Sequence, residues 1–200
     1  IMTNSALVSA TDSTANTVSD ISDAGTNPEG TNPGVNNDTG GTDDPTIFKR
    51  PRVLTAKQLT GISANGDGSY LADYQIVVLN VGTYDLSDIT LIDQPSADLQ
   101  QATVSAGAVS TSAGTVGTYP SLLVDASLAS GESLTVNYQL TIRPSDAADP
   151  TALDNSAVVK GFWDAGSFVT DLSDNGASAI GDNGEGGTDD PTPFASSSIN

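Results

Sequence analysis

Two acidic loops of this chain concentrate the side chains whose chemistry is easiest to specify. Residues 18–48 hold six acids, residues 169–194 hold six more, and neither stretch contains a Lys or Arg. Hard cations such as Ca²⁺ take about six to eight oxygens from carboxylates, amides and backbone carbonyls, which Gly- and Asn-rich acidic loops supply. The loops therefore predict Ca²⁺ sites. The predicted ligands are Asp20, Asp23, Asp43 and Asp44 in the first loop and Asp171, Asp174, Asp189 and Asp190 in the second.

The alternative interpretation of both loops is a solvated acidic linker that only keeps the protein soluble. An internal repeat favours the calcium interpretation. Residues 4–25 match residues 155–176, and residues 40–48 match residues 186–194. The segment between the two matches differs in length, yet the predicted ligands keep their places on either side of it. Ligation requires such fixed positions, whereas solubility does not.

The overall composition excludes several classes of function. The chain has 25 acidic and 6 basic residues, a formal net charge of −19, no Cys and no His. Thiolate and Ser-His-Asp chemistry are therefore excluded, together with Cys-ligated metals. An acidic chain without a basic patch is a poor partner for nucleic acid or an anionic membrane. No apolar run approaches the ~18 residues of a membrane span, so we expect neither an enzyme nor membrane insertion.

The elements that must position these loops are β-strands. Residues 134–142 and 70–78 alternate apolar and polar side chains, the period of a half-buried strand. Residues 86–91 continue the pattern with a bulge or phase change between Leu86 and Ile89. Turn signals separate seven or eight such strands, and no helical period is sustained. The pattern predicts an all-β fold, an immunoglobulin-like Greek-key β-sandwich.

The repeat sets the domain organisation, because the repeated unit is about 150 residues long. Residues 1–48 are interpreted as the C-terminal strands and Asp-rich loop of a preceding repeat, or as a donor segment. Residues 49–194 form a complete Ig-like module with its own junction loop, and residues 195–200 begin the next repeat. This organisation predicts a tandem or head-to-tail array.

Two segments resemble a known family. YQIVVLNVGTYDLSDITLIDQ (74–94) and LLVDASLASGESLTVNYQLTI (122–142) are similar to the conserved Ig-like repeat of bacterial and archaeal extracellular proteins. The resemblance implies a structural subunit of an extracellular filament or stalk, or a surface adhesin, whose partners are copies of itself. Calcium would then stiffen the junctions between modules. The alternative function is a ligand-binding β-sandwich, an adhesin tip that contacts a glycan or surface through residues 102–118.

Three smaller groups of residues are also candidates for a crosslink or a cation site. Lys57 and Asn155 are the residue types that some Gram-positive pilins join in an isopeptide crosslink beside a buried acid. The favoured interpretation of Lys57 is instead a side chain that extends to solvent from an edge strand. The Asn-Gly-Asp-Gly sequence at 65–68 reads as a hairpin turn rather than a cation site. Asp85, Asp88 and Asp93 are a further candidate for cation binding.

Overall fold

The computed structural model describes residues 2–21, 46–145, 153–180 and 189–194. The chain divides into two compact units, Ile1–Arg50 and Pro51–Asn200. The regular secondary structure of the described residues is almost entirely β-strand, with one short helix in the second unit. Within these ranges, no helix is long and apolar enough to pass through a membrane.

The first unit consists of two antiparallel strand pairs. Its strands are β1 (Met2–Asn4), β2 (Leu7–Thr11), β3 (Thr17–Ile21) and β4 (Thr46–Phe48). Strand β2 forms a hairpin with β3, and β1 pairs with β4. In this hairpin, Leu7 and Val8 are 69% and 63% exposed.

The second unit contains two six-stranded sheets, in which all strand pairs but one are antiparallel. The first sheet consists of β15 (Asp174–Asn175), β5 (Val53–Ala64), β6 (Tyr70–Asn80), β12 (Ser133–Ile142) and β8 (Thr103–Ala106), with β9 (Ser110–Thr111) also on β12. The second sheet consists of β10 (Thr115–Val116), β11 (Ser121–Leu128), β7 (Leu86–Pro95), β13 (Asp154–Asp164) and β14 (Ser167–Leu172), with β16 (Thr192–Pro193) also on β13.

One hydrophobic core joins the two sheets. Alternate residues of β6 and β12 point inward from the first sheet, and alternate residues of β7 and β13 do so from the second, as the period-two patterning requires. The sequence-based prediction of an all-β sandwich is confirmed. The fully buried aliphatic side chains at the centre of the core are Ile76, Val78, Ile89, Leu91, Leu122, Leu123, Leu134, Val136, Leu140, Ile142 and Val159.

The predicted phase change in β7 is present. Leu86 and Ile89 are both buried, while the two residues between them are exposed, and Asp88 has φ of 47°. The short helix α1 (Ala97–Ala102) follows this strand and was not predicted. Its first turn is capped by Ser96, whose hydroxyl accepts a hydrogen bond from the Leu99 N–H at 3.2 Å.

The chain enters and leaves the sandwich at opposite ends. Val53 starts β5 opposite Asn80, the last residue of β6. Ala64, at the far end of β5, pairs with Tyr70 at the start of β6. The ring of Phe194, the last described residue, packs edge-on against Tyr70 with centroids 6.3 Å apart. The described path therefore begins at the end of the sandwich that contains Val53 and finishes at the end that contains Tyr70.

The sequence repeat is matched by a repeat of strand pairing. Leu7 pairs with Ile21 in the first unit, and Val158 pairs with Leu172 in the second. Each of these positions is shifted by 151 residues, and the other four pairs of the first hairpin have equivalents in the second at the same offset. The pairing of β1 with β4 likewise reproduces the pairing of β13 with β16. The two fragments therefore share strand register as well as sequence.

The segment 102–118 does not form one flat face. Its strands β8 and β9 pair with β12 in the first sheet, whereas β10 pairs with β11 in the second. The Ser- and Thr-rich surface considered for an adhesin tip is thus divided between two sheets.

Candidate functional site

A polar cluster lies inside the sandwich, between the sheets. Lys57 on β5 comes from the first sheet, while Asp93 on β7 and Asn155 on β13 come from the second. The three residues are 0%, 3% and 0% exposed, respectively. Asp93 is opposite Ala157 in the β7–β13 pair, and Asn155 is two residues from Ala157 on the same strand face. This register places the carboxylate and the amide side by side, facing the lysine.

Hydrogen bonds join the cluster through the Asp93 carboxylate. The Lys57 ammonium donates to Asp93 Oδ1 and also to the carbonyl of Ser156, the latter at 2.9 Å. The Tyr138 hydroxyl donates to Asp93 Oδ1 at 2.6 Å. Asn155 Nδ2 lies 3.1 Å from the Tyr138 hydroxyl and 3.5 Å from Asp93 Oδ2. The amine and the amide are thus held on the two oxygens of one carboxylate.

One acceptor of the cluster has no partner. The carbonyl oxygen of Asn155, Oδ1, is buried without a hydrogen bond from any described residue. An unsatisfied buried polar group costs roughly 1–3 kcal/mol. Native cores seldom retain such a group, and a core that does so calls for a physical explanation.

The rings of Tyr74 and Tyr138 lie next to the Lys57 ammonium. Tyr74 and Tyr138 stack with ring centroids 5.3 Å apart, and Lys57 Nζ lies 5.0 Å and 5.4 Å from those centroids. Burial raises the pKa of both phenols, and the charge of Asp93 adds to the effect. Both hydroxyls therefore stay protonated, and the Tyr138 hydroxyl remains a hydrogen-bond donor throughout the physiological pH range.

Burial also lowers the pKa of Lys57 to about 8, because the charged amine has lost its contact with water. The charge of Asp93 and the hydrogen bond to it oppose this effect. A lysine with a pKa of about 8 has a substantial neutral fraction at physiological pH, and the neutral amine is a nucleophile. The cluster therefore combines an amine, a proton acceptor and an amide carbonyl in a dry environment.

The expectation that Lys57 extends to solvent is wrong. Strand β5 is not an edge, because Ala56 and Lys57 pair with β15 on one side while β6 covers the other. The Lys57 carbonyl also accepts hydrogen bonds from the Gly176 N–H at 2.8 Å and the Thr192 hydroxyl at 2.7 Å. These contacts fix the backbone with the lysine side chain pointing into the core.

Asp93 also differs from its sequence-based interpretation as part of a loop cation site with Asp85 and Asp88. It lies in the core near the opposite end of β7 from these two residues. A surface depression reaches the cluster beside it and is lined by Gln94, Tyr119, Pro120, Ser156 and Pro191 as well as Asp93. The signal that could have found Asp93 is its place in the inward series Ile89, Leu91, Asp93.

The predicted calcium ligands of the second loop lie near each other. The pKa of Asp171 is raised to about 6, chiefly by burial, with smaller contributions from the charges of Asp189 and Asp174. Burial likewise raises the pKa of Asp174, as do the charges of Asp189 and Asp190. The Asp171 carboxylate is therefore within electrostatic reach of Asp174 and Asp189, and the Asp174 carboxylate is within reach of Asp189 and Asp190.

The described acids fit a cation only in part. Asp171 Oδ2 already accepts a hydrogen bond from the Thr55 N–H at 2.6 Å, whereas Asp174 Oδ1 is buried without a partner. Within the ranges that the structure describes, no three acidic side chains form a group that could hold a metal ion. Asp182 and Glu185, from the same loop, lie outside those ranges.

The other predicted ligands lie mostly outside the described residues. Asp23, Asp43 and Asp44 fall in the undescribed segment 22–45, and of Asp20 only the backbone is described, paired with Val8. At 65–68 the predicted hairpin turn is present. The Asp67 carboxylate there accepts hydrogen bonds from the Ser69 N–H and hydroxyl, at 3.0 and 2.6 Å.

The raised pKa of Asp171, caused by burial and by the neighbouring acids, predicts a pH dependence. Asp171 binds its proton more tightly in the folded chain, so its contribution to stability is present at low pH and is lost as pH rises through about 6. We expect Asp171→Asn to raise the melting temperature at pH 7 in the presence of chelator, and to have little effect near pH 4. The exposed Asp164→Asn is the matched control. An Asp171→Asn variant that melts lower at pH 7 would contradict this prediction.

Comparisons with known proteins identify no family. No family model matches the chain, and no curated protein matches it. Among solved structures, a β-glucosidase involved in saponin metabolism from intestinal bacteria is similar at 14% identity and a TM-score of 0.23. The match covers 66% of this chain and 18% of the β-glucosidase, so the chain spans less than a fifth of the length of that protein.

Proposed function

We propose that this chain is a structural part of an extracellular filament or stalk, or of a surface adhesin, built from Ig-like Greek-key modules in a row. Its partners are copies of the same module, in tandem or head to tail. Residues 1–48 would supply the last strands of one module and residues 49–194 the whole of the next. The proposal does not include enzymatic turnover of an external substrate.

The observation that carries this proposal is the path of the chain through the sandwich. Because Val53 and Phe194 lie at opposite ends, successive modules can follow one another without the connecting segment doubling back. The shared strand register of the two hairpins supports the same conclusion, since a tandem array repeats one fold along one chain.

An array of modules can be tested by scattering. The central strand β6 has 11 residues, so each module adds about 35 Å along the strands at roughly 3.3 Å per residue. Extending the present chain by one further copy of residues 49–194 should raise the maximum dimension, measured by small-angle X-ray scattering, by about that length or more. Modules that fold back side by side would leave the maximum dimension nearly unchanged and would contradict the proposal.

We further propose that Ca²⁺ binds at the acidic junction and fixes neighbouring modules. The carboxylates of Asp171, Asp174, Asp189 and Asp190 would hold it, with further oxygens from the same loop. Support comes from the repulsion among these acids and from the unpartnered Asp174 oxygen. A bound cation would offset both the burial and the repulsion that raise the pKa values of Asp171 and Asp174.

Thermal unfolding in excess Ca²⁺ and in chelator tests the calcium proposal. A ligand that binds only the folded state at 100 times its dissociation constant stabilises by about 2.7 kcal/mol, so the melting temperature should rise. The double variant Asp171→Asn with Asp190→Asn should lose that rise, while the exposed Asp164→Asn keeps it. No rise in the unmodified chain, or an equal rise in the double variant, would refute calcium binding at these residues.

A further inference from the structure

The cluster of Lys57, Asp93 and Asn155 contains every group needed to form an amide bond between two side chains. We propose that the folded chain joins Lys57 Nζ to Asn155 Cγ in an isopeptide bond, with Asp93 transferring the protons. The bond would connect β5 of the first sheet to β13 of the second. This inference is independent of the proposed array, because it depends only on the interior of one module.

The amine is placed and activated as a nucleophile. Lys57 Nζ donates to Asp93 Oδ1, so its extra proton can pass directly to the carboxylate. The transfer converts a buried ion pair into a neutral amine and a neutral acid, which a dry aromatic environment favours. Nζ also donates to the carbonyl of Ser156, the residue after Asn155, which holds it next to the amide.

The amide is placed as the electrophile. Asn155 Nδ2 faces Asp93 and Tyr138, while Oδ1 has no donor among the described residues. The two ends of an amide have nearly the same shape. A half-turn of the side chain would therefore direct Oδ1 toward the Tyr138 hydroxyl and the protonated Asp93. Two donors on that oxygen would polarise the carbonyl and stabilise the negative charge that develops on it.

The reaction balances without an oxidant or cofactor. Lys57 Nζ attacks Asn155 Cγ, the new C–N bond forms, and the carbonyl electrons move to Oδ1. Asp93 removes a proton from Nζ and delivers one to Nδ2, after which the Cγ–Nδ2 bond breaks and ammonia leaves. Before the reaction, Lys57 Nζ carries three protons and Asn155 Nδ2 carries two. Afterwards, one of these five protons is on the new amide, three are on ammonia and one is on Asp93. The surface depression beside Asp93 gives ammonia a route outward.

The burial of the cluster favours bond formation over hydrolysis. The reacting groups are held on one carboxylate within a rigid core, which replaces an encounter between two side chains by a fixed geometry. Lys57 and Asn155 are both 0% exposed, so the carbonyl has no contact with bulk water in the closed core. A structural lysine would need only the ion pair, whereas the adjacent amide with an unpartnered carbonyl is explained by the reaction.

The sequence repeat retains the asparagine. Asn4 corresponds to Asn155, and the pairing of Asn4 with Thr46 reproduces the pairing of Asn155 with Thr192. The adjoining Ser and Ala are retained as well. A second module of the same kind would therefore present an asparagine at the same place.

The intact mass of the purified chain, measured after denaturation, tests the proposal directly. We expect a mass lower than the sequence mass by one ammonia. Cleavage before Asp residues places Lys57 in peptide 44–66 and Asn155 in peptide 154–163. These two peptides should be recovered joined, and fragmentation should locate the bond at Lys57 and Asn155. The full sequence mass in folded protein would overturn the proposal without any variant.

Variants distinguish the Lys57–Asn155 bond from other reactions that release ammonia. Asp93→Asn removes the proton acceptor with little change of shape, and Lys57→Met removes the amine, so both should have the full mass. Lys160→Met, on the same strand as Asn155, should still lose ammonia. A cyclic imide at an Asn-Gly sequence such as Asn65-Gly66 would persist in Lys57→Met, and that result would overturn the assignment. A crosslink retained in Asp93→Asn would overturn the role of Asp93.

Discussion

Replacing Asp93 by Ala is expected to lower the free energy of unfolding by at least about 3–5 kcal/mol, the cost of leaving one member of a buried ion pair without its partner. The Lys57 ammonium would lose its only described counter-charge, and Tyr138 and Asn155 would lose an acceptor. Urea unfolding followed by the fluorescence of Trp163 measures the change. Asp98→Ala, at an exposed position on α1, is the control and should have a much smaller effect.

A double variant distinguishes an ion pair from a covalent bond. If Lys57 and Asp93 only form an ion pair, Lys57→Met with Asp93→Leu should restore stability or even raise it, because apolar side chains replace a costly buried pair. If Lys57 is joined to Asn155, the double variant loses a crosslink that closes a loop of about 100 residues. In the chain-entropy description such a crosslink contributes about 4–5 kcal/mol. Recovery of the unmodified stability would therefore contradict the crosslink.

Under tension, the unmodified second unit should extend much less than the contour length of its fully stretched chain. A bond from Lys57 to Asn155 lets force bypass the chain between them, so these residues cannot be stretched. Lys57→Met removes the bypass and should release roughly 330 Å of additional chain, for about 100 residues at 3.3–3.6 Å each. Single-molecule force spectroscopy with folded handles of known length measures this difference.

The control for the force experiment is Lys160→Met, which should extend no further than the unmodified chain. Lys160 lies over the rings of Phe162 and Phe168, with Nζ 4.6 Å and 4.1 Å from their centroids, and is not in the polar cluster. Equal extension of the unmodified chain and Lys57→Met would show that no covalent bond joins the strands.

Much of the fold was predictable because alternation along a strand reports which face is buried. The same alternation places Asp93 in register with Ile89 and Leu91, and Asn155 in register with Ala157 and Val159. Lys57 was misplaced because a lysine is seldom buried unless it is paired. Its partners are on two strands of the other sheet, and periodicity within one strand carries no information about which strands face each other.

The acidic loops also show which features the sequence pattern does not predict. Their composition and repetition indicated that Asp171, Asp174 and Asp189 converge, and the structure places them within electrostatic reach of one another. Which oxygens point inward depends on backbone conformation rather than residue type, as the hydrogen bond from Thr55 to Asp171 shows. Helix α1 escaped prediction because six residues are too few to establish a helical period.

The sequence separation within the polar cluster also sets the order in which it can assemble during synthesis. Lys57 and Asp93 emerge first, and β5 can pair with β6 before β13 exists. Asn155 arrives about 60 residues after Asp93, and contacts of such long range form late in folding. Thr192, which hydrogen-bonds to the Lys57 carbonyl, arrives later still. Release of ammonia would then mark the moment at which a nascent module has closed around its core.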